Sequence, residues 1–533
     1  MDWSFLPLEI LEIILGKLEF KDRMACSLVC HSWCSALFCS PKLARDIVFS
    51  IGPKYCSDFR SIIQSSERNF RQLVIVLHTA DLALNEIVAE AAKRWNVKFV
   101  SLVGEPVRLL SCFKSNVQLF DSITELTLEF TMDRAWPVMP VQEVTFVNLK
   151  KFHYLQIYVG PNPMSVLFRL VMPKLEVASI VLDSLANEEA MYWEDPLIEL
   201  LECDKLKSLE VDLNSSMWDN FFAVKRSNME RLVIRRASDE CHERNWHQLF
   251  GNMPNLKHVE FAFSSDSMLS NLIASCKKIE RIMFYGFCLH DGSFANNMEV
   301  LKLKQIHLDG WLTGSLFSSE GRLDVFHLED LTWKYVELAP AQGTFTIVAP
   351  ELKRLTLRGC DYKRFLLEVG DCLECVDMDY YETQIMTPNF FGSLENVQRL
   401  TLHINSNSQK LALKIAPMPR LKYLELVCST ERHGYNCNAL FRGICANCPE
   451  LEELCIRNEH ENELRISYSH FVQLVRLTRL RVLTMHFVTL LDVAGEIPLR
   501  HLQRQNIWGC TVSGNSSKQC FPLQTQDKEM NIQ

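Results

Sequence analysis

Apolar residues recur along this chain in a fixed short pattern, apolar-x-x-apolar-x-apolar. The pattern is clearest at residues 352–357, 397–402, 421–426 and 451–456. Weaker copies begin at Phe70, Val97, Ile123, Leu149, Leu175, Leu206, Met229, Leu256, Ile279, Met298, Leu323, Leu373 and Leu480. Because apolar and polar positions alternate in the second half, each copy predicts a short strand with one face in a core and the other outward.

The spacing of these copies is typical of leucine-rich repeats. From Ile123 to Leu480 the mean step is about 25 residues, within the known range of about 20–29. Residues 268–276 and 439–448 show helical spacing between predicted strands, and a proline often precedes the strand, as at 253–255 and 418–420. The sequence therefore predicts an α/β fold: a curved leucine-rich-repeat solenoid with parallel strands on its concave face and helices on its convex face.

Residues 1–45 do not follow the repeat and instead show helical spacing. Pro7 stands where a helix begins, and apolar residues follow it at Ile10, Leu11, Ile14, Leu15 and Leu18. A second amphipathic stretch starts near Asp22. Two or three short helices this rich in apolar residues cannot bury them all alone, so a neighbour or partner is expected.

This segment resembles an F-box through Leu6-Pro7-x-Glu9-Ile10-Leu11, Ile14-Leu15, Leu18, Asp22 and Ser27-Leu28-Val29-Cys30-x-x-Trp33. The resemblance implies docking on the Skp-type adaptor of a cullin-based ubiquitin ligase. It assigns residues that form or support the adaptor-binding surface: Leu6, Pro7, Ile10, Leu15, Leu28, Val29, Cys30 and Trp33. The chain departs at Arg23, where the family usually has Leu, which weakens the expected contact, and at His31, where Lys or Arg is common. A helical cap that only shields the first repeat from water is the alternative.

The sequence thus predicts three segments: an F-box-like adaptor-docking domain at 1–48, a substrate-binding leucine-rich-repeat solenoid at 49–511, and a C-terminal tail at 512–533. The tail is rich in Ser, Gln and Asn, which predicts disorder. An F-box before leucine-rich repeats resembles the F-box/leucine-rich-repeat family. The resemblance implies a non-catalytic substrate-recognition subunit of an SCF-type ubiquitin ligase, and a ligase-independent interaction scaffold is the alternative.

Composition narrows the other possibilities. The formal net charge of -9 argues against wholesale nucleic-acid binding. The chain lacks a secretory signal at its start and any run of about 20 apolar residues, so we expect no membrane span and a location in the cytoplasm or nucleus.

Cysteine chemistry is the remaining class to weigh. The 20 cysteines are expected to be reduced and mostly buried in such a compartment. The pairs Cys372/Cys375 and Cys445/Cys448 each lack the second half of a zinc site, so we expect no metal or cofactor. A cysteine-dependent enzyme with repeats appended remains a rival, because pairing in space cannot be inferred from one sequence.

The third, fifth and seventh residues of each copy point to the outward strand face. Between the copies at Met229 and Val397, cations predominate there: Arg231, Arg235, Arg281, Lys302, Lys304, Arg354, Arg358 and Arg399. The anions at these positions are Glu260, Glu329, Asp377 and Asp379. One hypothesis is that this strip binds an acidic or phosphorylated segment of a protein substrate. The alternative, that exposed strand positions are simply charged, stays open, and the identity of the substrate is not encoded in the pattern.

Overall fold

The computed structural model describes residues 6–40, 43, 47–52, 56–66, 70–77, 82–130, 142–156, 168–182, 200, 203–213, 218–237, 245–262, 266–285, 302–309, 322–335, 345–359, 365–380, 394–404, 417–428, 438–458, 464–491, 502–508 and 511–513. The chain divides into two compact units, Met1–Ala262 and Phe263–Gln533. Each unit contains helices and one long parallel sheet, so the fold is α/β as predicted.

The first unit begins with three short helices, α1 (Leu8–Lys17), α2 (Phe20–Cys26) and α3 (His31–Cys39). Helix α1 begins directly after Pro7, whose carbonyl accepts the amides of Ile10 and Leu11 at 3.1 Å each. Leu11 and Leu15 are buried, and both α1 and α2 pack against α3. The predicted N-terminal helical segment is therefore confirmed.

The main sheet of the first unit has parallel neighbours in the order β1-β2-β3-β4-β6-β8-β9-β10-β11. Its strands are β1 (Val48–Ile51), β2 (Gln72–Leu77), β3 (Phe99–Gly104), β4 (Glu125–Phe130), β6 (Lys151–Gln156), β8 (Val177–Leu182), β9 (Ser208–Leu213), β10 (Arg231–Ala237) and β11 (His258–Phe261). A separate short pair joins β5 (Gln142–Thr145) to β7 (Phe168–Val171). Six helices lie between strands in the chain: α4 (Cys56–Ser65), α5 (Leu82–Arg94), α6 (Pro106–Ser115), α7 (Val117–Ser122), α8 (Trp218–Ala223) and α9 (Trp246–Asn252).

The main sheet of the second unit has the order β12-β13-β15-β17-β19-β20-β21-β22-β24-β26, again all parallel. Its strands are β12 (Arg281–Tyr285), β13 (Gln305–Asp309), β15 (Asp330–Lys334), β17 (Arg354–Arg358), β19 (Cys375–Tyr380), β20 (Arg399–Ile404), β21 (Tyr423–Cys428), β22 (Glu453–Asn458), β24 (Val482–His486) and β26 (Arg504–Trp508).

Shorter elements complete the described part of the second unit. One small parallel sheet joins β14 (Arg322–Asp324), β16 (Phe345–Ala349) and β18 (Phe365–Val369). Another joins β23 (Leu464–Ser467), β25 (Val488–Leu491) and β27 (Thr511–Ser513). The helices are α10 (Asp266–Ser275), α11 (Asn438–Asn447), α12 (Tyr468–Phe471) and the 3-10 turn Val472–Arg476. Helices α10 and α11 confirm the two helical stretches expected between strands.

One face of each main sheet is buried while the other stays at least partly open to solvent. In β17, Leu355 and Leu357 are buried, whereas Arg354 is exposed and Thr356 and Arg358 are half-buried. Parallel sheets in doubly wound folds bury both faces instead. The half-open sheet explains why apolar and polar residues alternate so regularly, and it makes the polar face available for contact.

Most predicted strands lie where the pattern placed them, but two start five residues later. The copies assigned to Met298 and Leu323 are wrong in register, because the main-sheet strands follow Leu303 and Leu328. Leu323 lies instead in the small strand β14. Each of these stretches contains two overlapping copies of the pattern, and the last apolar residue of the first copy is the first of the second.

The second residues of successive copies form a row that the sequence pattern did not predict. The backbone carbonyl of each such residue accepts the amides of the second and third residues of the next copy, as Glu329 does from Lys353 and Arg354 at 2.9 and 3.0 Å. Its side chain alternates in charge from one copy to the next: Lys150, Glu176, Lys207, Glu230 and Lys257 in the first unit, then Glu280, Lys304, Glu329, Lys353 and Glu374 in the second. Neighbours form ion pairs such as Lys353–Glu329 at 2.8 Å. We call this row the charge ladder.

The C-terminal strand β27 includes Val512 and Ser513, the first residues of the segment predicted to be a tail. Residues 514–533 lie outside the described part of the chain. The division of the chain at residues 48 and 511 remains a prediction.

Candidate partner-binding sites

Helix α1 carries apolar side chains on two opposite sides. Leu11 and Leu15 are buried, whereas Ile10 and Ile13 are 42% and 62% exposed. At 100° per residue, the direction midway between Ile10 and Ile13 points about 150° away from that of the buried pair. Exposed apolar side chains on a second side of a helix are typical of a surface that binds a partner.

The turn between α2 and α3 presents a second apolar surface. Leu28 is 78% exposed and Val29 is 64% exposed, although both are large aliphatic residues. Their amides donate to the carbonyls of Ala25 and Cys26 at 3.1 Å each, and the buried Ser27 hydroxyl donates to the backbone at 2.7 Å. The turn is therefore held by hydrogen bonds that do not depend on the exposed side chains.

The other residues assigned to the adaptor surface differ in burial. Pro7 is exposed, and Leu6, Cys30 and Trp33 are half-buried. Leu15 is fully buried, so it can support the surface only from beneath.

Two exposed residues of α1, Leu8 and Ile13, were missed by the sequence reading. The residues of that reading came from the F-box resemblance and not from the geometry of the helix. The helical spacing of Ile13 from Ile10 was the signal that could have found it.

A hollow of about 280 Å³ lies on the open strand face of the second unit. It spans five neighbouring strands, β15, β17, β19, β20 and β21. The third residues of these copies form one row and the fifth residues form the next: Asp330, Arg354, Cys375, Arg399 and Tyr423, then Thr332, Thr356, Asp377, Thr401 and Glu425. The described side chains leave room for a ligand in this part of the open face.

Each carboxylate that lines the hollow is neutralised from within the sheet. Asp330 accepts from Arg354 at 2.8 Å. Asp377 accepts two parallel hydrogen bonds from Arg358 and lies 3.3 Å from His403 Nε2.

Glu425 is neutralised in the same way, by Arg457, and it also accepts the Tyr423 hydroxyl at 3.1 Å. Internal pairing of this kind leaves these three carboxylates little capacity to attract a cationic ligand.

The surroundings of Asp377 and Asp379 shift the pKa values of these two carboxyls in opposite directions. Burial opposes ionisation of Asp377, but the interactions with the neighbouring His403 and Arg358 outweigh it and lower the pKa of Asp377. Burial dominates at Asp379, whose pKa is raised although its carboxylate accepts the Gly359 amide. The same face of one strand thus carries a stabilised and a destabilised carboxylate.

Arg399 differs from the other arginines at the hollow. Its guanidinium lies 4.1 Å from the centre of the Tyr423 ring, a cation–π contact, and it has no carboxylate partner among the described residues. Arg354 donates from Nε and one terminal nitrogen to Asp330. The guanidinium N–H donors at the hollow that have no acceptor among the described residues therefore belong to Arg354 and Arg399.

The remaining predicted substrate-binding cations are distributed less simply. Arg231 and Arg235 both pair with Glu210 on the neighbouring strand. Arg281 is exposed at the start of β12. Lys302 and Lys304 precede β13 and so lie outside the open strand face, and Lys304 belongs to the charge ladder, paired with Glu280. Lys302 and Lys304 are thus off the open face, and substrate binding by the other predicted cations remains a prediction.

The cysteine pairs show no sign of metal chemistry in the described residues. No group of three His, Cys, Asp or Glu side chains within those ranges is placed to hold a metal ion. Burial raises the pKa of Cys445 to about 11 and of Cys448 to about 12, and it raises that of Cys375 as well. A thiol with a raised pKa stays protonated, whereas a nucleophilic cysteine needs a lowered pKa.

Among the helices that the structure describes, none has the length and apolar character to cross a bilayer.

Comparison with known proteins identifies the N-terminal helices. Residues 3–39 match the F-box domain family, and this range contains α1, α2 and α3. F-box domains bind Skp-type adaptors in cullin ligases, and F-box proteins are generally non-catalytic substrate adaptors. No curated protein matches the chain.

Proposed function

We propose that this protein is a substrate-recognition subunit of an SCF-type ubiquitin ligase. Its F-box binds the Skp-type adaptor, and a leucine-rich-repeat array formed by the parallel strands binds a protein substrate. In this role the protein carries out no covalent step. It raises the effective concentration of the substrate near the ubiquitin-charged enzyme, in the cytoplasm or the nucleus.

One observation carries the docking half of the proposal. The F-box match coincides with the segment that has the most exposed large aliphatic side chains among the described residues, Leu28, Val29 and Ile13. A terminal cap that only shielded the first repeat would turn its apolar side chains toward the sheet and leave polar ones in water. The exposed side chains favour a separate partner over such a cap.

The substrate half of the proposal is supported by the repeating strands. Each main sheet has an open face along its length, and shape and charge on that face vary from strand to strand. Parallel strands repeated at about 25 residues, with the first, fourth and sixth positions buried, are what leucine-rich repeats require.

The test is capture of purified Skp-type adaptor by the full-length protein. The double variant Leu28→Asp, Val29→Asp is expected to retain at least tenfold less adaptor, because charged groups replace the apolar contact. The matched control is Val117→Asp, a 56% exposed valine on α7 outside the F-box, which is expected to retain adaptor normally.

Two results would contradict the proposal. If the unaltered protein retains no adaptor, the assignment to a ligase fails. If the double variant retains as much adaptor as Val117→Asp, a ligase-independent scaffold becomes the better interpretation.

A further inference from the structure

Arginines and carboxylates lie side by side in and around the hollow on the second unit. Four arginines lie in or against it, Arg354, Arg358, Arg399 and Arg457, and they face three carboxylates, Asp330, Asp377 and Glu425. Three of the arginines are each paired with one of these carboxylates. Arg399 is the arginine at the hollow for which the described residues supply no carboxylate partner.

The unpaired hydrogen-bonding groups of the hollow are donors. Arg399 contacts only an aromatic face among the described residues, and Arg354 keeps one terminal nitrogen clear of Asp330. Thr332 and Thr356 line the hollow in the adjacent row of fifth residues, and their hydroxyls have no partner among the described protein groups. A site that offers free donors and has already satisfied its carboxylates selects an oxyanion.

The strand order places the two arginines on either side of one residue. Strands β17 and β20 both pair with β19, so Arg354 and Arg399 align with Cys375 in the sheet. Strands lie about 4.8 Å apart, which separates the two arginine backbones by about 10 Å. Two long side chains can converge on one phosphate or carboxylate group held above Cys375, in a hollow of about 280 Å³.

We propose that the hollow between Arg354 and Arg399 is the subsite that binds an oxyanion-bearing side chain of the protein substrate. This inference rests on the proposed function, since it names what the repeats recognise. Phosphoserine or phosphothreonine and Asp or Glu supply the same chemistry, and the experiment separates them. Arg358 lies outside this role because both of its nitrogens that reach Asp377 are occupied.

The experiment uses the full-length protein bound to its adaptor and three immobilised peptide libraries. The libraries share random flanking positions and differ only at a fixed centre, which is phosphoserine, glutamate or serine. Retention of phosphoserine or glutamate peptides over serine peptides by roughly tenfold is the expected result. Preference for phosphoserine alone identifies a phosphorylated substrate, and equal preference for glutamate identifies an acidic one.

Variants locate the binding in the hollow. Arg399→Gln is expected to remove the preference, and Arg399→Lys is expected to keep part of it, because Lys retains the charge without the forked geometry. Arg420→Gln removes the same charge from an exposed turn outside the hollow and is expected to behave as the unaltered protein does.

A second readout follows the thiol at the centre of the hollow. Bound phosphoserine peptides are expected to slow labelling of Cys375, while labelling of the exposed Cys372 stays constant as an internal control. Equal retention of all three libraries, or a preference that Arg399→Gln leaves intact, would overturn the subsite. Capture of the adaptor is measured on the same variants, so a failed subsite is distinguished from a failed ligase assignment.

Discussion

Arg358 on β17 holds Asp377 on β19 through two parallel hydrogen bonds, from Nε at 3.1 Å and from the terminal nitrogen at 2.7 Å. The pair ties neighbouring strands together on the open face of the sheet. Two residues further along the same strand, Asp379 accepts the backbone amide of Gly359. Protonation is therefore expected to destabilise the fold at Asp377 and to stabilise it at Asp379.

Replacing Asp377 by Asn is expected to destabilise the fold at pH 7. The lost charge leaves Arg358 without its carboxylate, at a cost of about 1–2 kcal/mol, which partial exposure of Arg358 keeps low. Because the pKa of Asp377 is lowered in the fold, its contribution is present above the ordinary value and disappears as the pH falls through the lowered one. Urea unfolding at pH 7 and in acid measures the difference, which should shrink toward low pH.

Replacing Asp379 by Asn is expected to stabilise the fold at pH 7, the opposite of the change at Asp377. Burial raises the pKa of Asp379, so its ionised form costs stability at neutral pH, and that cost disappears as the pH falls. The amide oxygen of Asn can still accept the Gly359 amide. Greater resistance to urea at pH 7, with no gain in acid, is the expected result. A loss at pH 7 as large as that of Asp377→Asn would show that both carboxylates act alike.

Gly359 is expected to tolerate no side chain. Its φ is +60°, and an added Cβ would lie 2.5 Å from the ring of Tyr335. Gly359→Ala should cost roughly 1–2 kcal/mol from the left-handed backbone, with the clash in addition. Gly251→Ala is the matched control, because it lies in α9 with open space around it and should stabilise by about 0.5–1 kcal/mol. Thermal unfolding of both variants checks the contrast.

Ile13 and Leu15 are expected to separate docking from folding within one helix. Ile13→Glu should leave the unfolding transition in place and reduce adaptor capture at least tenfold, since its side chain is 62% exposed. Leu15→Ala should cost about 2–5 kcal/mol, because the side chain is buried. Circular dichroism and adaptor capture are measured on each. Normal capture by a well-folded Ile13→Glu protein would place the docking surface elsewhere.

Lys353 lies between Glu329 and Glu374 in the charge ladder, and Lys353→Glu is expected to lower the melting temperature. The variant replaces an attraction with repulsion from two like charges. The charges are exposed, so the effect should fade when salt is raised to about 0.5 M. Lys353→Ala, which removes the pair without adding repulsion, should show a smaller loss. A loss independent of salt would mean that packing, not charge, is disturbed.

The sequence predicted the strands well because two buried residues alternate with polar ones within each strand, and a third buried residue precedes it, as Leu355, Leu357 and Leu352 do. It was wrong at Met298 and Leu323, where two overlapping copies match equally and no local signal separates them. Burial of Trp333 and Leu308 decides the register, and burial is a property of the assembled sheet.

The candidate site was predictable only in part. The pattern placed Arg354 and Arg399 on the open face. It gave no indication that Arg354 pairs with Asp330 whereas Arg399 has no carboxylate partner among the described residues. Pairing across strands depends on which residues the register aligns. Lys302 and Lys304 were misassigned for the same reason, since a shift of register moved them off the open face.

The alternation of the charge ladder also specifies the order in which the copies stack. From Lys150 to Glu374 the sign reverses at every copy. A chain that skipped one copy of the ladder while folding would bring either two Lys or two Glu side by side at the junction. Hydrophobic positions that repeat almost identically cannot distinguish one neighbour from the next. Within the ladder, the alternating charges disfavour an arrangement in which a single copy is left out, because two like charges then become neighbours.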